Sequence, residues 1–195
     1  FDSPTQLSVQ TDVDCQTITF DNCIIATGSH SSNIPGFPTD HPLILNSAGA
    51  LKLREIPKRL LVIGGGYIGL EIGSIYNALG SQVTLVEFMS GLLPGADEDL
   101  VNPLTQKLKK SCENIYLSTK VTKLEPMKNE VTAYFEGTDK REFSAVFETV
   151  LVAVGRKPNT TNLGLENTGI SLTKDGFISV NDKRQTIVSN IFAIG

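Results

Sequence analysis

Three glycines at fixed offsets, Gly64, Gly66 and Gly69, stand between an apolar run and a helical pattern in "RLLVIGGGYIGLE". Each has a distinct physical task in a strand–turn–helix that receives a pyrophosphate. Gly64 permits the tight turn, Gly66 lets backbone approach the phosphates without a Cβ in the way, and Gly69 lets the helix pack close to the strand. The phosphates would sit at the helix N-terminus, against free N–H groups and the positive end of the dipole. The pattern gains specificity from an acid about 20 residues on, at the end of the next strand. "QVTLVE" supplies Glu87, 18 positions after Gly69. A carboxylate there can accept from both hydroxyls of an adenosine ribose and repels a 2′-phosphate. Like charges about 4 Å apart cost roughly 4 kcal/mol at an effective dielectric of about 20. No Lys or Arg lies between Phe88 and Gln106 to hold such a phosphate. The spacing therefore points to NAD rather than NADP. The alternative for Glu87 is a solvated acid at a strand end.

The elements that must position these residues follow from hydrophobic period and punctuation. Arg59–Ile63 and Gln82–Val86 read as strands. Tyr67–Leu79 has helical spacing, with Ile68, Ile72, Ile75 and Leu79 on one face and Gly80 as the stop. A second helix is expected over Asp97–Lys110, acids first and lysines last, as the macrodipole favours. Pro103 should kink it or delay its start, with Asn102 as a cap. Further strands are expected at Ile115–Leu117, Val121–Leu124, Val131–Phe135, Glu142–Phe147 and Thr149–Gly155. Before these, residues 6–25 are β-rich, and "CIIATG" reads as a parallel strand buried on both faces. Residues 29–42 are rich in Ser, Pro and Gly and read as a linker. After "GRKPNTTN", a hairpin should turn at Asp175–Gly176, and "IFAIG" closes on one more strand. An Ala-x-Gly strand ending recurs at Ala26–Gly28, Ala153–Gly155 and Ala193–Gly195. The fold class expected is α/β: a Rossmann-like domain with a parallel sheet and a β-meander, flanked by partial strands of another domain.

Composition excludes several classes. A net charge of −4 without a basic run lacks the footprint of a nucleic-acid binder. No apolar stretch approaches the roughly 20 residues of a membrane span, and no signal-peptide pattern opens the chain. Three scattered cysteines, Cys15, Cys23 and Cys112, suit reduced intracellular thiols with no redox role. No metal site is expected. Beginning without Met and ending in mid-pattern, the sequence reads as a piece of a longer chain.

With strand, glycines and acid in place, the sequence resembles the flavin-dependent pyridine-nucleotide–disulfide oxidoreductases, and within them the dihydrolipoamide dehydrogenase branch. The resemblance runs through "CIIATGS", "RLLVIGGGYIGLEIGSIYNALGSQVTLVE", "LLPGADEDL", "TKVTKLE", "VLVAVGRKPNT" and "GFISVNDKRQTIVSNIFAIG". It implies an NAD-binding domain over residues 31–155. Residues 1–30 would be strands of an FAD domain, and 156–195 a return segment to it, with the "CIIATG" and "IFAIG" strands as neighbours in one sheet.

The resemblance also implies residue roles. Gly64, Gly66, Tyr67, Ile68 and Gly69 would form the NAD turn, and Glu87 would hold the ribose. Val121 would flank the adenine, and the Gly155 backbone would lie by the nicotinamide. Tyr67 would gate the flavin, or simply pack at the first helical turn. Glu71 would pair with a flavin-side lysine, or be a first-turn acid favoured by the dipole. Thr27 and Gly28 would face FAD. His30, where the family often has Arg, and His41 are expected to be idle. The family's C-x-x-x-x-C pair and first glycine fingerprint are expected ahead of Phe1, and its His–Glu acid/base pair in a C-terminal domain. No catalytic residue is therefore expected within the 195 residues.

The implied parent oxidises dihydrolipoyl groups of 2-oxo-acid dehydrogenase complexes and reduces NAD+ through a disulfide and FAD. It is expected in the cytoplasm, or in the mitochondrial matrix of a eukaryote, as a homodimer. The chain alone is expected to bind NAD(H) without catalysis, and its orphaned strand edges to favour self-association. The alternatives are a related flavoprotein reductase or transhydrogenase, and a non-catalytic binding or assembly module.

Overall fold

A computed structural model describes every residue except Asp139 and Gly195; the third Ala-x-Gly ending thus lies partly outside the described residues. The chain divides into two compact units: Phe1–His30 with Arg156–Gly195, and Ser31–Gly155.

The first unit opens with an antiparallel pair, β1 (Gln6–Gln10) and β2 (Cys15–Thr19), with Gln6 opposite Thr19. β3 (Cys23–Ile25) and β4 (Ser29–Ser31) follow. The second unit begins with β5 (Ile44–Leu45) and a single helical turn, α1 (Ser47–Ala50), whose N-cap Asn46 accepts from Gly49 N–H. Then come β6 (Arg59–Ile63), α2 (Tyr67–Ala78), β7 (Gln82–Val86), α3 (Glu98–Ser111) and β8 (Asn114–Tyr116). Three antiparallel strands, β9 (Thr119–Pro126), β10 (Val131–Gly137) and β11 (Glu142–Phe147), form the meander. β12 (Thr149–Val152) returns to the parallel sheet. β13 (Arg156–Pro158) and β14 (Ile191–Ala193) belong to the first unit.

The parallel sheet has the order β5-β12-β6-β7-β8. From β6 the chain winds outward through β7 to β8, then re-enters on the other side of β6 as β12. β6 therefore marks the topological switch point, where the carboxyl ends of neighbouring strands open a crevice. The continuous apolar run of β6 explains its central place, since both faces are covered. Leu61 and Ile63 face the meander, packing with Val86, Val150, Phe135 and Phe147. Leu60 and Val62 face the helices, packing with Leu70, Ile72, Tyr76 and Leu108.

Three expectations are corrected in this unit. The buried face of α2 is Gly69, Leu70, Ile72, Gly73 and Tyr76, whereas Ile75 and Leu79 are exposed. The glycines decide the orientation. A Cβ on Gly69 would lie 3.3 Å from Val62, and one on Gly73 3.4 Å, so only this face lets helix and strand approach. The large Tyr76 then completes the row, its hydroxyl donating to Ala50 O at 2.8 Å. Secondly, α3 starts at Glu98 with Asp97 as N-cap and carries Pro103 inside it, so Asn102 is not the cap. The proline removes one backbone donor early in a 14-residue helix, and the remaining ladder and the partly buried Val101 and Leu104 hold the helix. Thirdly, β12 ends at Val152, short of the expected Gly155.

In the first unit, β14 pairs in parallel with β3, aligning Ile191 with Cys23 and Ala193 with Ile25, as the sequence led us to expect. The pair packs one face on Leu165 and Ile170. Its other face is open, and Ile24 is 63 % exposed, so the strand is not buried on both sides. β13 pairs with β4, which places a short strand where a linker was expected. The turn near Asp175–Gly176 is made by a Thr173 N–H bond to Phe177 O, but only one bridge, Leu172 to Ile178, flanks it instead of two strands.

Candidate functional site

The turn after β6 is held by close backbone contacts. Gly64 has φ +110, and a Cβ on it would lie 2.4 Å from Ala153 O. Ala153 follows β12, so this contact lies at the switch point itself. A Cβ on Gly69 would lie 2.1 Å from Gly64 O. Both positions exclude any side chain, as their expected roles require. Gly66 differs. It caps α2 with φ −77 and ψ 174, a conformation open to every residue. A Cβ there would meet nothing within 4 Å. Neither backbone conformation nor packing within the folded chain requires glycine at this position.

The N-terminus of α2 is available to an acceptor. Gly66 supplies no side-chain cap, and the helical ladder begins with Leu70 N–H donating to Gly66 O at 3.0 Å. The amides of Tyr67, Ile68 and Gly69 precede that first bond. Tyr67 is 63 % exposed, so it does not pack at the first turn. Ile68 is half-buried against the helix-side core. Glu71 lies beyond the first turn and faces solvent, so the dipole-favoured first-turn placement does not hold.

Glu87 is 9 % exposed and is not a solvated acid. Its Oε2 accepts from Gly65 N–H at 2.6 Å and its Oε1 from Met89 N–H at 2.7 Å. Each oxygen keeps a further lone pair, the number needed for two ribose hydroxyls. The strand puts the acid there: β7 runs parallel to β6 with Val86 opposite Ile63, so the residue after Val86 meets the glycine turn. The next segment folds back as well. Leu93 N–H donates to Gly65 O at 2.9 Å, and Leu92 is buried where a Gly65 Cβ would fall, 2.6 Å from its Cδ2. Gly65, Leu92 and Leu93 were missed from sequence because Gly65 occupies a variable position of the fingerprint. The run of three glycines was the available signal.

The remaining candidates are placed as follows. Val121, in β9, is 4 % exposed and packs in the core, so any contact with an adenine would come from backbone. Gly155 has φ +125, which favours glycine, and its carbonyl accepts from Ser32 N–H at 2.9 Å. Thr27 and Gly28 lie in the other unit. There they rim a pocket of about 420 Å³ at the carboxyl ends of β3 and β14, lined also by Thr160, Phe177 and Arg184. Asn159 ties this rim: its N–H donates to Gly28 O at 2.9 Å and its Nδ2 to Thr27 O at 2.9 Å. Its Oδ1 accepts from His30 Nδ1 at 2.6 Å, so His30 is a structural partner rather than idle. His41 is half-buried, and its Nδ1 accepts from Leu43 N–H at 3.4 Å. Burial pushes the Cys23 and Cys112 thiols up, away from the reactive thiolate, and Cys15 is free and exposed.

Comparison with known proteins shows the family. A family model described as pyridine nucleotide-disulphide oxidoreductase matches residues 2–195. The dihydrolipoyl dehydrogenase of Vibrio cholerae is 38 % identical over 195 residues, covering 100 % of this chain and 41 % of that protein. The mitochondrial dihydrolipoyl dehydrogenase of Dictyostelium discoideum is 43 % identical over 183 residues, covering 92 % of this chain and 38 % of that one. Among solved structures, the HOCl-induced flavoprotein disulfide reductase RclA from Escherichia coli superposes with a TM-score of 0.85 at 31 % identity, over 100 % of this chain and 43 % of that chain. The chain thus spans about two fifths of the length of these relatives.

Proposed function

The chain belongs to the pyridine nucleotide-disulphide oxidoreductases, and on that premise we propose that its Ser31–Gly155 unit holds NAD(H) on the turn from Gly64 to Gly69. One observation carries the reading. Gly66 is the one fingerprint glycine that neither backbone conformation nor packing requires. An external group approaching the backbone there supplies the missing reason. A pyrophosphate fits, because the amides of Tyr67 and Ile68 and the positive helix end face the same space.

Bound NAD+ supplies an acceptor for two electrons as hydride. The residues of this chain bind and aim it. Glu87 accepts from the ribose hydroxyls with the lone pairs that Gly65 and Met89 leave. Its negative charge disfavours a 2′-phosphate, and the segment from Phe88 to Gln106 carries no Lys or Arg to offset that repulsion. The Val121 backbone flanks the adenine, and Gly155, just beyond β12, approaches the nicotinamide end. Tyr67, exposed beside the turn, is free to cover it, and Glu71 lies one turn further along. In the other unit, Thr27 and Gly28 face FAD at the carboxyl ends of the parallel pair, where α/β sheets bind ligands.

The parent reaction in this proposal oxidises dihydrolipoyl groups, as the names of the dihydrolipoyl dehydrogenases suggest. Lipoyl domains of 2-oxo-acid dehydrogenase complexes would be its partners, and a homodimer its assembly, in cytoplasm or mitochondrial matrix. A second reading, a flavoprotein reductase of another disulfide, has the likeness to RclA in its favour; the higher identity to dihydrolipoyl dehydrogenases ranks it behind. The 195 residues contain no C-x-x-x-x-C pair, so the chain alone should bind NADH and reduce no lipoamide. Calorimetric titration with NADH, with NADPH as control, tests the binding. Tighter binding of NADPH would sink the assignment of Glu87. Lipoamide turnover by the chain with added FAD would sink the assignment of catalysis to other parts of the parent.

A further inference from the structure

We propose that Leu93 is a positioning residue of the nucleotide site, whose backbone amide aims the Gly66 N–H at the bound pyrophosphate; the proposal deepens, and rests on, the NAD(H) reading of the turn.

The two peptide planes around Gly65 are both fixed from outside the turn. Gly65 N–H donates to Glu87 Oε2 at 2.6 Å, and Gly65 O accepts from Leu93 N–H at 2.9 Å. In a planar trans peptide the C=O and N–H point in opposite directions. Holding Gly65 N–H toward Glu87 therefore turns Gly64 O the other way. That is where it lies, 2.1 Å from the place of a Gly69 Cβ. By the same rule, holding Gly65 O toward Leu93 turns Gly66 N–H away from the 88–93 segment, on the residue whose own Cβ would meet only open space.

Leu93 makes this bond from a backbone that leucine rarely adopts, φ +49. A bulky residue at positive φ is strained, and such strain persists where surrounding contacts over-determine it. Those contacts are present. Leu92 is buried in the helix-side core, Leu93 packs against the same core, and Leu93 O accepts from Ala96 N–H at 3.0 Å. The segment is held as a brace, and it meets the turn through the Leu93–Gly65 bond. A merely structural brace would stabilise the fold without affecting nucleotide affinity.

Two substitutions separate these cases. Leu93→Gly keeps the amide and relieves the positive φ. Replacing the Leu93 amide by an ester, through the α-hydroxy acid of leucine, removes the N–H and leaves the side chain and φ free to stay as they are; proline would not serve, because its ring cannot adopt φ +49. NADH affinity of the whole chain is read by the fluorescence of the bound nucleotide, beside a thermal melt. Leu93→Gly should bind NADH within about threefold of wild type, and the ester at least about tenfold more weakly, the size of one lost hydrogen bond to an anion. Equal NADH affinity of the folded ester overturns the proposal, as does a loss in Leu93→Gly equal to that in the ester. Where the ester does not fold, the wild-type amides decide. On saturation with NADH the Gly66 amide resonance should move and the Leu93 amide should exchange slowly throughout; an unmoved Gly66 amide or a fast Leu93 amide overturns it. A wild-type chain that binds no NADH fails the nucleotide reading itself. Persistent slow exchange at Leu93 would then mark the bond as structural only.

Discussion

Gly66→Ala and Gly69→Ala change the same fingerprint by the same methyl group and should have opposite consequences. At Gly69 the new Cβ would lie 2.1 Å from Gly64 O, and the obstacle is backbone, not the end of a flexible chain. Helix and turn must separate, with a cost of about 3 kcal/mol, the upper range for overpacking. For a chain of this size that lowers the melting temperature by about 6–12 °C. At Gly66 the new Cβ meets nothing within 4 Å, and φ −77 suits alanine. Alanine gains about 0.4–1 kcal/mol through the unfolded state and loses a similar amount as a poorer N-cap, about 0.5–1 kcal/mol. Stability should therefore stay within about 1 kcal/mol, or about 4 °C. Affinity should not. The methyl group occupies the space through which phosphate reaches the amides, and NADH binding should fall at least tenfold, about 1.4 kcal/mol. Thermal melts and NADH titrations of the two variants provide the readout. A Gly66→Ala variant that melts like Gly69→Ala would show that the fold itself needs this glycine. One that melts and binds like wild type would remove the reason for placing a pyrophosphate there.

Glu87→Gln puts an amide donor against Gly65 N–H or Met89 N–H, leaving one buried donor unpaired. The melt should report a loss of about 1–3 kcal/mol, and the preference for NADH over NADPH should narrow in parallel titrations. Tyr76→Phe removes one of two hydrogen bonds to the Ala50 carbonyl, which keeps the Leu53 N–H at 3.2 Å, and should cost about 0.5–1.5 kcal/mol with no change in NADH affinity. On the meander surface, the Lys123 ammonium, followed by the Tyr134 hydroxyl, holds the Glu125 carboxyl below its ordinary value. Its contribution to stability is thus present above the unfolded value of 4.5 and is lost as pH falls through the depressed one. A carbon-detected titration should show Glu125 moving back up in Lys123→Ala. Of the thiols, exposed Cys15 should react with an aromatic disulfide reagent well before Cys23 and Cys112, whose burial raises them.

The turn was legible in the sequence because its demands show in residue type. Gly64 and Gly69 stand where backbone comes too close for any Cβ, so only glycine serves, and the spacing to Glu87 follows from one helix and one strand. What escaped depends on tertiary packing or on backbone partners. The face of α2 was misjudged because isoleucines were weighted over the glycines, while close packing on Val62 selects the glycine face. Pro103 was read as a boundary because propensity treats a helix alone, without Val101 and Leu104 docked on a core. Val121 matched a nucleotide-flanking position by motif, yet its side chain is in the core, since strand alternation in β9 sends it against Phe135 and Phe147. The Gly65 brace was invisible for a further reason. Its partner is the backbone amide of Leu93, which carries no signature in residue type.

A structure of the chain crystallised with NADH tests the central claim most directly. The dinucleotide should lie across the carboxyl ends of β6 and β7, with a pyrophosphate oxygen within hydrogen-bonding distance of the Gly66 or Tyr67 amide. Both hydroxyls of the adenosine ribose should be on Glu87. A nucleotide seated in the pocket beside Thr27 and Gly28 instead, or one whose phosphates leave the Gly66 amide untouched, would contradict it.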